Sequence, residues 1–70
     1  MGTNKHQRQE IEDLENLAAI VDIAMNTLQF VALYTRSEHI LHEIHRALQA
    51  LERGRAIIIR RRQQIGGSHE

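Results

Sequence analysis

Between Gln9 and Tyr34 apolar residues recur at spacings of three, four and seven. Leu14, Val21, Met25, Leu28 and Ala32 make one row, and Leu17, Ile20, Ala24, Val31 and Tyr34 make a second. That period predicts an α-helix over about residues 9–34. At 100° per residue, Glu15, Asp22, Asn26 and Gln29 fall in a polar stripe roughly 60° wide. Apolar residues take roughly 220° of the remainder, with Asn16 and Thr27 as exceptions. A helix that touches one neighbour needs an apolar stripe of about 100° or slightly more. The first helix therefore needs at least two neighbours, and one antiparallel partner cannot cover both rows.

The pattern changes phase at Thr35-Arg36-Ser37-Glu38. Thr35 and Glu38 have the spacing of a capping box, and Ser37 is an alternative N-cap. Neither Gly nor Pro stands here, so one continuous helix is the rival expectation. Carrying the Leu14 row forward by sevens lands on Thr35 and His42, out of phase with the next apolar row, which argues for a turn at 35–37. A second helix is expected over about residues 37–65, with an apolar face of Ile40, Leu41, Ile44, Ala47, Leu48, Leu51, Ile58, Ile59 and Ile65. Gly54 lies inside it at a cost of about 1 kcal/mol relative to Ala. Ala47 and Gly54 are seven apart on one edge of that face, which suggests a close approach of helices. The alternative is a C-cap at Gly54 followed by a short strand over 56–61, since Ile57, Ile58 and Ile59 are β-branched. Residues 1–8 and 66–70 are expected to be disordered tails.

Two helices of nearly equal length, folded back at 35–36, bring together residues whose numbers total about 71. Arg55 then lies near Asn16, and Arg62 near Gln9 and Glu10. Both arginines sit on the apolar azimuth of the second helix. Glu12, Asp13, Glu15 and Glu10 are their expected partners, in ion pairs that set antiparallel register. Acids near the start of the first helix and Arg60–Arg62 near the end of the second also suit the helix dipoles.

Length makes this hairpin incomplete by itself. Seventy residues without Cys, Pro or Trp exclude a disulfide scaffold and a zinc-thiolate site. They leave a small core that needs a partner. The expected fold is all-α: a helical hairpin that dimerises into a four-helix bundle, with Leu14, Leu17, Ile20, Val21, Met25, Leu28, Val31, Leu41, Ile44, Leu48, Leu51 and Ile58 at the oligomer interface. A trimer or tetramer would also satisfy the rows. Net charge is zero but uneven. Residues 1–35 carry two bases against five acids, and residues 36–70 seven arginines against four acids. An acidic and a basic half on one short chain suggest that they meet. Eight Arg against one Lys point to an arginine-favouring genome, bacterial or phage in character.

Candidate chemistry is sparse. Glu38, His42 and His45 fall within about 60° of one another around the helix and have the spacing of weak metal ligands, but no Cys or second carboxylate cluster supports them, and no metal or cofactor is expected. Arg46, Arg53 and Arg60 line the outer face of the second helix, as phosphate-binding arginines would. Against that reading stand the absence of Lys and aromatics there, and Glu43 and Glu52 at its edges. Rop-type plasmid proteins, small dimeric hairpin bundles that bind RNA, show only that the architecture allows it. Ile23 and Phe30 flank the polar stripe as apolar residues that another protein could cover, and Ile57 is a second such point. Residues 17–34 are 14/18 apolar, enough to raise a membrane span, though Asp22, Asn26 and Gln29 interrupt it. No nucleophile elbow, phosphate loop or dinucleotide turn occurs, and an enzyme is not expected. The polar N-terminus lacks a secretory pattern, so a cytoplasmic location is expected. The functional expectation is a homo-oligomeric protein–protein interaction module: an adaptor, inhibitor or regulatory protein. Nucleic-acid binding and membrane insertion are the alternatives.

Overall fold

A computed structural model describes the backbone of residues 3–67 and the surroundings of side chains 5–65. Two helices account for it, α1 over Thr3–Tyr34 and α2 over Glu38–Gly67. They run antiparallel as a rod of 55 × 14 × 13 Å. No strand occurs among the described residues, so Ile57–Ile59 continue α2 through Gly54.

The connection is residues 35–37, where the phase of the apolar rows shifts. Its cap is Ser37 and not the Thr35–Glu38 box. The Leu41 amide donates to the Ser37 carbonyl at 3.0 Å, the first bond of the helical ladder. The Ile40 amide donates to Ser37 Oγ at 3.3 Å. A side-chain oxygen that accepts from the third amide of a helix defines an N-cap. No described residue needs a positive φ to make the turn.

Both helices outrun their expected ends. α1 begins at Thr3 rather than about Gln9, and α2 reaches Gly67 rather than Ile65. Residues 3–8 are therefore helical and not a tail, as are Gly66 and Gly67. Residues 1–2 and 68–70 of the expected tails lie outside the described residues. Gln7 and Ile11 extend the half-buried row of α1, and Glu10 meets Arg61 of α2 at 2.8 Å. The longer ends also undo the dipole argument. The first turn of α1 holds no acid and the last turn of α2 no base, and the dipole acts only within those turns.

The helices meet along one seam. In α1 it is Ile11, Leu14, Ala18, Val21, Met25, Leu28 and Ala32. In α2 it is Leu41, Ile44, Leu48, Leu51, Arg55, Ile58, Arg62 and Ile65. These positions alternate by three and four, the seven-residue repeat of two helices packed at a shallow angle. The seam is thin. Only Leu14, Ile44 and Ile65 fall to 9% exposure or less, and no side chain among the described residues is fully buried. A layer two helices wide has no interior.

Candidate functional site

The seam divides the hairpin into two flanks with different chemistry. In an antiparallel pair, the positions that follow the seam residues lie on one side, and those that precede them lie on the other.

The first flank is ionic. Glu15 and Asp22, next after Leu14 and Val21, meet the seam arginines of α2. Arg55 Nε donates to Asp22 Oδ1 at 2.8 Å. Arg62 donates to Glu15 Oε2 through Nη2 at 2.7 Å and through Nε at 3.0 Å. All four side chains are about half exposed, so each pair contributes at most about 1 kcal/mol. The arginines thus make the ion pairs expected of them: Arg62 takes Glu15, one of the expected acids, while Arg55 takes Asp22, which was not among them. Glu12 and Asp13 take no part; Asp13 instead accepts from Gln9 Nε2 within α1 at 3.2 Å. The displacement follows from helix geometry. Side chains lean toward the N-terminus of their own helix. Those of α2 lean toward the turn and those of α1 toward the open end. Arg55 therefore reaches past Asn16 to Asp22, and Arg62 past Glu10 to Glu15. An open groove of about 530 Å³ runs along this flank, lined by Asp22, Met25, Glu52, Arg55, Ile59 and Arg60 among others. Within it, Asp22 and Arg55 satisfy each other.

The second flank is apolar. Leu17, Ala24 and Val31 precede the α1 seam residues, and Ile40, Ala47 and Gly54 precede those of α2. Ile20 stands beside the α1 file. Leu17 is 47% exposed, Ile20 60%, Val31 44% and Ile40 47%. The second apolar row of α1 therefore lies open to water while the Leu14 row fills the seam. Of the residues expected at an oligomer interface, Leu14, Val21, Met25, Leu28, Leu41, Ile44, Leu48, Leu51 and Ile58 join the two helices of one chain. Leu17, Ile20 and Val31 stay uncovered. Gly54 is not a point of close approach within the chain: a Cβ placed there would meet nothing within 4 Å. Thr27 interrupts the apolar region at little cost, because its hydroxyl donates to the Ile23 carbonyl at 2.8 Å.

One ion pair closes the open end of this flank. Arg61 Nε donates to Glu10 Oε2 at 2.8 Å. The hydrogen bond first, and the charge of Glu10 second, raise the Arg61 pKa above its ordinary value. Both residues lie in the two files, seven before Leu17 and seven after Gly54. The expectation that numbers total about 71 holds for this pair, and the files continue it through 17 and 54, 24 and 47, and 31 and 40.

The remaining candidates lie elsewhere. Ile23 and Phe30 are 64% and 60% exposed on the outer side of α1. Phe30 stacks against Tyr34 with centroids 5.0 Å apart, and Leu33 and Ile57 are also exposed. Glu38, His42 and His45 are all exposed, and among the described residues no group of three His, Cys, Asp or Glu side chains comes together as a metal site. Arg46, Arg53 and Arg60 share the outer side of α2. Glu43 lies 3.8 Å from Arg46, and both aromatic residues of the chain belong to α1. By length and composition, α1 is apolar enough to cross a membrane. No protein-family model, curated protein or solved structure matches the chain.

Proposed function

We propose that the chain is a homo-oligomeric interaction module, in which a second hairpin covers the Leu17 flank and completes an antiparallel four-helix bundle. The assembled bundle then offers the outer side of α1, around Ile23 and Phe30, to another protein. The observation that carries this reading is the Leu17–Val31 file standing open beside a seam with no fully buried side chain. Apolar residues on the seam and on one flank of it are the pattern of a bundle helix; a two-stranded coil needs the seam alone. Surface area supports it. The chain exposes 5730 Å², where a folded monomer of its 8.1 kDa mass exposes roughly 4,500 Å². The excess is more than the ~800 Å² that each partner loses in a standard interface.

Sedimentation equilibrium across a dilution series, with helicity followed by circular dichroism, tests the proposal. Dimers that lose helicity as they dissociate support it. A helical monomer at every concentration overturns it.

A second reading has one observation in its favour, the apolar length of α1. A membrane span would bring Asp22 into lipid, where an ionised group is costly, and would break its pair with Arg55. Flotation with liposomes separates the two: the bundle stays in the dense fraction, and an inserted helix floats.

A further inference from the structure

We propose that the second copy docks with its turn at the same end of the bundle, so that Leu17 of each chain seats over Gly54 of the other. The proposal rests on the dimer reading above and adds its face, register and direction. Three observations lead to it.

The first is the pairing of levels. The files Glu10-Leu17-Ala24-Val31 and Arg61-Gly54-Ala47-Ile40 step by seven residues along opposite helices, and the Glu10–Arg61 bond at 2.8 Å fixes their register within one chain. Rotate a second hairpin by half a turn about the long axis and set its apolar flank against the first. The α1 file then faces the α2 file of the partner at the same levels. Leu17 meets the glycine, Ala24 meets Ala47, and Val31 meets Ile40. Leu17 on Gly54 sets a large side chain against none, while Ala24–Ala47 allows close approach and Val31–Ile40 fills the layer near the turn.

The second is the glycine itself. Gly54 weakens a 30-residue helix, and nothing in its own chain occupies the space above it. Leu17 lies at its level on α1 and leaves it empty, while remaining 47% exposed. A second α1, approaching from outside, brings a leucine to the one position on this flank without a side chain.

The third is charge. With turns at the same end, Glu10 faces Arg61 of the partner, and the two ion pairs become a ring of four alternating charges at the open end. With turns at opposite ends, each α1 file packs against itself. Registers that overlap most of the hairpin then set Glu10 against Ala24 or Val31, a carboxylate on an apolar wall. The one self-pairing register that avoids this centres on Ala24 and leaves about a third of each rod overhanging. Same-end docking alone covers the full flank and pairs every charge on it.

The chain has no cysteine, so Arg36→Cys in the exposed turn places a single spin label. Pulsed dipolar spectroscopy on the dimer then reads the direction. Same-end docking puts the two labels about 20 Å apart, two helix diameters. Opposite-end docking centred on Ala24 puts them about 35 Å apart or more, by helix rise over the 24 residues between the turns. The longer distance in a sample that sediments as a dimer overturns this arrangement and leaves the dimer reading standing. A monomer by sedimentation overturns both. Gly54→Leu tests the face: it fills empty space in the monomer and weakens association by about tenfold or more. Unchanged association overturns the seating of Leu17 on Gly54. Should that variant fail to fold, the label distance, measured with Gly54 intact, decides the arrangement.

Discussion

Arg60 and Arg62 are two positions apart, and the same substitution in each has different consequences. Arg62 makes two bonds to the Glu15 carboxylate; Arg60 lines the open groove and makes no ion pair among the described residues. Arg62→Glu places like charges together and lowers the melting temperature, by an effect worth up to about 1 kcal/mol at low salt. Arg60→Glu leaves melting unchanged. The difference shrinks as salt rises, because half-exposed charges are screened. Equal melting temperatures for the two variants at low salt would remove the register role of Arg62. Ser37 is the other residue with an individual task. Ser37→Ala removes the acceptor of the Ile40 amide and lowers stability by about 1 kcal/mol, readable as a shift in the urea midpoint at constant slope.

The rows of α1 divide the work, and two substitutions separate them. Leu28→Asp strikes the seam, so helicity and association are lost together at every concentration. Leu17→Asp strikes only the open flank and shifts the monomer–dimer equilibrium toward monomer by at least tenfold, measured by sedimentation. Equal association by Leu17→Asp and the native chain would contradict the proposed interface. These elements were largely legible in the sequence. Alternation by three and four marked both helices, and the phase change between Leu28 and Leu41 placed the turn at 35–37. The excess width of the α1 apolar face announced a row that one neighbour cannot cover. Three features were not legible from spacing alone. The Asp22 partner of Arg55 depends on the lean of side chains along each helix, which a count of levels ignores. The helix ends at Thr3 and Gly67 lie beyond the last residues of the apolar pattern, which is all that spacing reports. The emptiness above Gly54 needs the position of α1. The Glu10–Arg61 pair itself was within reach, since its numbers total 71, had the files through Leu17 and Gly54 been followed to their ends.

The molecule taken whole is a surface with very little inside. Every layer is two helices thick, and its three most buried side chains still reach 6–9% exposure. The proposed bundle makes the melting temperature rise with protein concentration by mass action. Thermal melts over a hundredfold concentration range check this; a constant midpoint contradicts the bundle. The turn adds a consequence of its own. Three residues without glycine or proline join the arms, and none has a positive φ. Straightened into one helix, the chain would carry the α2 seam about 200° around from the α1 seam, because Leu41 stands two residues past the position to which the α1 seam would continue. The break capped by Ser37 is therefore what lets both apolar rows face each other inside one molecule.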